Sequence, residues 1–409
     1  MRYWILIALV AGVAQAATLP ATPGLLPTEV VRPLIDLDPE VAAARANREA
    51  AQQDAALAKG SPYEWSAKLS AQRRTLEAGP RYQEWNAGLE RGLRLPGKAA
   101  ADRKLGQAML EEGDARYGEA RHETARELLA LWLDWASAEQ AHLLARANFQ
   151  AAQEDFGIVE KRVRAGDAAR LDAGVARSDY NEQQRAANDA KTAANVAWAH
   201  LHARFPGLPR QYSDLPLAAP VSGDAAFWRE RISSQSDELK VSEALRAKAQ
   251  AHGERARAER WPDPTLGLFT ASEVGGRERL TGVTLSIPIP GALRSGRATR
   301  AVHAAEASRH EAELVKRAID ARIGATLASA QGAYDSWQSA ESGAAAMGDN
   351  ARLMQRAYTL GEADLHSLLM ARRQATMVAH SALAAKTAAA RAYYSLLVDA
   401  HLVWDMDHE

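Results

Sequence analysis

Four carboxylates, Asp167, Asp172, Glu362 and Asp364, lie beside two glycines, Gly166 and Gly361, in the segments VRAGDAARLD and YTLGEADLHS. Ser, His and Asp occur along the chain, but in no motif that fixes a nucleophile against a base. The chemistry open to these acids is therefore electrostatic: they attract cations and repel anions. The eleven histidines include no i, i+4 His pair and no His-Glu-x-x-His arrangement, and His200 and His202 point to different helix faces, so no metal site is expected. The tail DAHLVWDMDHE could hold a divalent ion weakly through Asp405, Asp407 and His408, although a polar chain end is the ordinary reading. Cysteine is absent, which removes disulfides, thiolate ligands and an N-terminal thiol for lipid attachment. With a formal net charge of −1 and no phosphate-cradling glycine loop, nucleic acid and nucleotides are not expected partners. The sequence predicts no enzyme, no catalytic residues and no cofactor.

The elements that must position the four acids are helices. All 16 prolines fall outside Gly97–Phe205 and Gly291–Glu409, two stretches rich in Ala, Arg, Glu, Gln and Leu. A proline inside either helix would cost about 3 kcal/mol. Gly166 and Gly361 suit tight reversals between helices, because glycine takes positive φ at no steric cost.

The two stretches repeat each other. LPGKAAADRKLG, from Leu95, aligns with IPGALRSGRATR, from Ile289, placing Pro96 on Pro290 at an offset of 194; RAGDA, from Arg164, aligns with TLGEA, from Thr359, placing Gly166 on Gly361 at an offset of 195. This internal two-fold repeat sets the expected plan: helix, two strands, long helix, tight turn, helix. Residues 1–16, MRYWILIALVAGVAQA, read as a secretory signal with cleavage before Ala17, and 17–38 as an N-terminal extended segment. The first repeat covers 39–205, with an opening helix over 39–59, strands near 63–73 and 82–95, and a long helix near 99–162. Residues 206–223 form a proline-rich linker. The second repeat covers 224–409, with an opening helix over 224–260, strands near 264–273 and 279–290, and a long helix near 297–358. A helix over 99–162 would extend about 95 Å and survives only by packing along its length, in coiled-coil fashion.

The strands have a period of two. Trp85, Ala87, Leu89, Leu93 and Leu95 share one face, with Glu84, Asn86, Glu90 and Arg94 on the other, and Arg91 alone breaks the pattern. Val283, Leu285, Ile287 and Ile289 repeat it. The upstream partners are Tyr63–Gln72, in which Tyr63, Trp65, Ala67, Leu69 and Ala71 alternate with polar residues, and PTLGLFTAS from Pro264. Beyond the signal no window of 18 apolar residues remains, so a membrane could be met only by β-strands. Four strands cannot close a barrel, and an open edge in lipid leaves backbone groups unsatisfied. Two chains would give eight strands and three would give twelve; an eight-stranded barrel is filled by its own side chains, so a conduit favours three. A small soluble sheet packed on the helices is the alternative.

The duplicated hairpin-plus-long-helix plan resembles the TolC-like outer membrane factors across the mature chain. The segment WPDPTLGLFTASEVGGRERLTGVTLSIPIPG, from Trp261 to Gly291, is similar to the second hairpin of the cobalt-zinc-cadmium, or cation, efflux branch. The resemblance implies a mainly α fold with a membrane β-barrel: a homotrimer with a twelve-stranded barrel, four strands per chain, above a long helical coiled-coil tunnel. It further implies the outer membrane of a Gram-negative bacterium with a large periplasmic part. The implied partners are outer-membrane lipid, a periplasmic adaptor (membrane fusion) protein and an inner-membrane proton-driven RND-type pump. The function it implies is the passive outer-membrane channel of a tripartite efflux system, exporting divalent metal cations, with drugs or solvents as the alternative cargo. A soluble periplasmic coiled-coil scaffold or adaptor is the reading from another class.

On that plan the two glycine turns form the periplasmic tip. Arg164, Gly166, Leu171, Leu360, Gly361 and Leu365 are the expected adaptor contacts, and Asp364, Glu362, Asp167 and Asp172 the expected pore gate. Threefold symmetry would turn any pore-facing acid into a ring of carboxylates. The plain alternative is that the glycines end helices and the acids lie near helix N-termini.

Overall fold

The protein is described by a computed structural model over residues 23–211 and 214–405. The signal-like residues 1–16 lie outside the described residues, as do Asp407 and His408 of the tail. The chain folds as α1 (Thr28–Asp36), α2 (Pro39–Lys59), β1 (Ser66–Thr75), β2 (Arg81–Gly92), α3 (Pro96–Ala165), α4 (Arg170–Arg204), α5 (Ala225–Gln235), α6 (Asp237–Ala258), β3 (Thr265–Glu273), β4 (Glu278–Ser286), α7 (Ala292–Leu360) and α8 (Leu365–Asp399). It is mainly α, with one antiparallel sheet in the order β1-β2-β3-β4.

The repeat is carried into three dimensions. α3 and α7 run 70 and 69 residues, about 105 Å each. α4 and α8 both run 35 residues at an offset of 195. Buried residues recur every seventh position: Ala145, Ala152 and Val159 on α3; Ala187, Ala194 and Leu201 on α4; Ile323, Ala330 and Trp337 on α7; Ala382 and Ala389 on α8. That spacing keeps one seam against a neighbour over many turns. Where α2 crosses α3 the seam is closer still, since a Cβ on Gly106 would lie 2.9 Å from Ala58 Cβ and 3.0 Å from Ala55 Cα.

The apolar core is a belt at mid-height. Leu128, Leu129, Trp132, Leu133 and Trp135 of α3 pack there with Val31 and Ile35 of α1, Leu201 of α4, Ile319 and Ile323 of α7, and Tyr394 and Leu396 of α8.

Several expectations are corrected. The stretch 17–38 is not extended throughout, because α1 occupies Thr28–Asp36 and buries Val31 and Ile35. The opening helix of the second repeat is broken at Ser236, whose ψ of 112° leaves the helical region while its hydroxyl accepts the Leu239 N–H at 3.2 Å. The first strand begins at Ser66 rather than at Tyr63, and the last ends at Ser286, ahead of Pro288 and Pro290, which have no N–H for a ladder. The segment 206–223 does more than connect: Leu208, Leu215 and Ala218 are buried, and Leu217 O accepts the Tyr394 hydroxyl at 2.9 Å.

Candidate functional site

The sheet has two unlike faces. The registers Ala67↔Leu89, Leu89↔Leu268 and Leu268↔Val283 align one apolar row across all four strands, with Leu69, Ala87, Leu266 and Leu285 beside it. These residues face outward: Leu69 is 83 % exposed, Leu268 61 % and Val283 65 %. The opposite face is polar and cross-linked. Lys68 pairs with Glu90 at 2.7 Å, Arg74 with Glu84 at 3.0 Å and with Glu273 at 3.2 Å, and Gln72 donates to Glu84 at 2.9 Å. A sheet packed on a soluble core would bury its leucines and expose its charges. This one leaves its leucines exposed and pairs its charges on the other face, where Glu84 is buried and Lys68 is 66 % exposed. Arg91, which interrupts the apolar row, turns back at the strand end, donating to Tyr63 O at 3.0 Å with its guanidinium 5.4 Å from the Trp65 ring centre.

Where sheet meets helices, Asp263 gathers the chain. Its carboxylate accepts the Tyr63 hydroxyl at 2.6 Å and the Leu95 N–H at 3.0 Å, and pairs with Lys98 at 3.0 Å. Burial pushes the Asp263 carboxyl up, but the bonds from Tyr63, Leu95 and Lys98 more than offset it and leave it below the usual carboxylate range.

At the other end, both helical hairpins close with the same cap. Gly166 N–H donates to Val163 O at 3.1 Å and Asp167 N–H to Arg162 O at 2.8 Å; Gly361 N–H donates to Tyr358 O at 3.1 Å and Glu362 N–H to Ala357 O at 2.8 Å. These are Schellman pairs, and they need φ values of +86° and +81° at the two glycines. The following helices start differently. Asp364 is the N-cap of α8 and accepts the Ser367 N–H at 2.7 Å, which holds its carboxyl below the usual range. Ala169 opens α4 without a side-chain acceptor, so only the reciprocal bond forms, from Ala169 N–H to Asp172 at 3.2 Å.

All four expected gate acids thus gather at the tip. Two of them also cap helices, and Asp167 and Glu362 are exposed. Of the expected contacts, Arg164, Gly166 and Gly361 are exposed, with Leu171 at 76 % and Leu360 at 65 %. Leu365 is corrected: at 6 % exposure it belongs to the tip's own core, with Val159, Ala176, Tyr358, Leu368 and Leu369.

Sequence spacing missed what joins the two hairpins. Asp155 of α3 is buried against Arg372 of α8, with which it forms an ion pair. Arg372 also donates to Gln355 of α7 at 2.6 Å. Burial pushes the Asp155 carboxyl up, against the pull of Arg372. Arg373 lies 3.7 Å from buried Asp179 of α4 and 3.3 Å from Glu182. Only the rarity of a lone Asp or Arg at an otherwise apolar seam position could have flagged these residues.

No helix among the described residues is long and apolar enough to cross a membrane. The family model of the outer membrane efflux proteins matches residues 31–204. The chain is 28 % identical over 286 residues to protein CyaE of Bordetella pertussis, a match covering 66 % of this chain and 59 % of that relative, less than two thirds of its length. The fold is similar to the Campylobacter jejuni CmeC outer membrane channel, with a TM-score of 0.76 and 14 % identity over 92 % of this chain and 85 % of that one. It is likewise similar to the outer membrane protein VceC of Vibrio cholerae, with a TM-score of 0.73 and 14 % identity over 92 % of this chain and 95 % of that one. The family model thus matches less than half of the chain, and the two solved structures show likeness of fold.

Proposed function

We propose that three copies of this chain close a twelve-stranded barrel in the outer membrane, continued by a helical tube across the periplasm, and serve as the passive outer duct of a tripartite efflux system. The single observation that carries this reading is the inverted sheet, whose leucines face outward while its charges pair on the other side. Lipid suits the first face and a water-filled lumen the second. β1 and β4 are sheet edges within one chain, and an edge in lipid must be paired by a neighbour. A soluble scaffold or adaptor is disfavoured for the same reason.

The tip is proposed as the place where a periplasmic adaptor docks, through Arg164, Gly166, Leu171, Leu360 and Gly361, below an inner-membrane proton-driven pump. Asp364, Glu362, Asp167 and Asp172 are proposed as the gate. Divalent metal cations are the proposed cargo, supported by the four tip acids and by the cation-efflux resemblance of Trp261–Gly291; drugs or solvents are the competing cargo. A duct of this kind carries out no reaction.

Cell fractionation with mass analysis in detergent tests the core of the reading. The expected result is a trimer extracted from outer membranes only by detergent. A monomer released in the soluble periplasmic fraction overturns it.

A further inference from the structure

His122, Asp237 and His401 are far apart in sequence and meet in one buried place. His122 lies on α3, Asp237 is the first residue of α6, and His401 sits in the turn after α8. One ligand atom from each lies within 4.8 Å of the other two. Asp237 and His401 are buried, and the His122 side chain is 11 % exposed. The imidazole rings are stacked, 5.0 Å between centres and 8° from parallel. Lys240 holds Asp237 Oδ1 at 2.9 Å, while Oδ2 faces His401 Nε2 at 3.6 Å. That is too long for a hydrogen bond. It is close to the ~3.3 Å that separates two ligand atoms on a tetrahedral ion with bonds of ~2.0–2.1 Å.

Three further observations point to an occupant. First, His401 adopts φ +52°, at the helix-terminating position that ordinarily takes glycine, so the turn bears strain to present this ring. Second, each ring has a carboxylate behind it, with His122 Nε2 3.7 Å from Asp399 and His401 Nδ1 3.7 Å from Asp405. Both gaps are longer than a hydrogen bond, and Arg126 holds Asp399 at 2.8 Å, so each carboxylate would orient its ring only after closing by about 0.5 Å. Third, a cavity of about 10 Å³ is lined by His122, Asp237 and His401, with Gly118 and Arg121 beside them, room for a single small species. Glu119, one turn before His122, lines a second small cavity on the other side of His122 and Asp237, and its buried Oε2 has no hydrogen-bond partner. Gly118 leaves the approach open, since a Cβ there would stand 3.0 Å from Asp237 Oδ1.

We propose that His122, Asp237 and His401 form a resident site for a zinc-class divalent ion. Two imidazoles with carboxylate suit Zn²⁺, Co²⁺ or Ni²⁺; Mg²⁺ and Ca²⁺ take all-oxygen sets, and no thiolate is present for Cu(I). The ion would join α3 of the first repeat to α6 and the C-terminal turn of the second. It is a structural staple inside the wall, distinct from any cargo, and does not depend on the export reading: a chain that failed fractionation could still bind it.

The test uses the full mature chain purified in detergent. Metal analysis before chelation is expected to find one zinc per chain. After chelation, Co²⁺ alone should bind at one site per chain with the visible absorption of a tetrahedral centre, and Zn²⁺ should displace it. His122→Ala with His401→Ala should abolish the spectrum, Asp405→Asn should weaken binding about tenfold, and His310→Ala, at an exposed Glu306/Glu313 cluster, should change nothing. Absence of a Co²⁺ spectrum, or one that survives the double variant, overturns the proposal. If the double variant does not fold, the wild type decides: chelation should lower its Tm and Zn²⁺, but not Mg²⁺, should restore it. An unchanged Tm overturns the proposal equally.

Discussion

The Tyr63 hydroxyl donates to Asp263 Oδ2 at 2.6 Å, joining the start of the first hairpin to the start of the second across 200 residues of chain. Lys98, at the head of α3, completes the knot; its side chain is 2 % exposed and that of Asp263 4 %. Sheet and long helix are thus tied at one carboxylate. Removing it leaves Lys98 buried and unpaired, so Asp263→Ala should destabilise the protein by about 3–5 kcal/mol. Thermal unfolding in detergent measures this, and a Tm equal to wild type would show that the knot holds nothing.

The same knot fixes a pH dependence with two signs. The Asp263 carboxyl is depressed, so its contribution is complete above its unfolded pKa of about 3.9 and is lost as pH falls through the lower folded value. Burial and then the bond to Asp263 raise the Tyr63 hydroxyl to about 12. Its contribution is complete below its unfolded pKa of about 10 and is lost as pH rises towards the folded one. In Tyr63→Phe the alkaline loss should vanish while part of the acid loss remains. Melting curves across both windows check this.

The hairpins, the long helices and the tip turns were legible because their signals are local. Proline placement, a period of two, and glycine at Gly166 and Gly361 each act within a few residues. The offset of 195 between α4 and α8 could be read from two short motifs alone. Three other features were not legible. Ser236 breaks a segment whose composition is helical throughout, because its hydroxyl competes for the Leu239 N–H. Asp155 meets Arg372 across 217 residues, and His122 meets His401 across 279. Such pairs are set by which helices become neighbours, which periodicity within one helix does not encode. Leu365 misled for the opposite reason, since a leucine beside an exposed turn reads as surface until the second hairpin packs over it.

Arg372 neutralises Asp155 and grips Gln355, so it ties α8 to both α3 and α7 near the tip. Arg372→Ala leaves a buried carboxylate without its cation, which costs several kcal/mol locally and is relieved if the hairpins part and water enters. The expected outcome is a severalfold rise in single-channel conductance in planar bilayers. Asp155→Asn with Arg372→Gln, which removes both charges together, should fall nearer wild type. Equal conductance in all three proteins would mean that the pair does not hold the tip.

Asp364 has two roles that substitution can separate. As N-cap it accepts the Ser367 N–H; as an exposed acid it contributes charge at the tip, beside Glu362. Asp364→Ser keeps the acceptor and removes the charge, whereas Asp364→Ala removes both. If charge governs passage, Asp364→Ser and Asp364→Ala, each combined with Glu362→Ala, should lose cation selectivity to the same extent. If capping is the whole role, Asp364→Ser should match wild type in selectivity and conductance, and the carboxylate gate fails.

Leu268 lies at the centre of the apolar row, between Leu89 and Val283, while Thr284 lies on the opposite face of the adjoining strand. An arginine at the midplane of a lipid-facing strand costs about 2–4 kcal/mol, and on a water-filled lumen it costs little. Leu268→Arg should therefore cut the trimer recovered from outer membranes severalfold, whereas Thr284→Arg should assemble normally and alter ion selectivity. The contrast separates the two faces, because both substitutions add the same side chain to the same pair of strands. Were the sheet packed on helices in a soluble protein, neither variant would change membrane recovery. The reverse order, with Thr284→Arg lost and Leu268→Arg retained, would turn the sheet inside out and remove the lumen from its polar face.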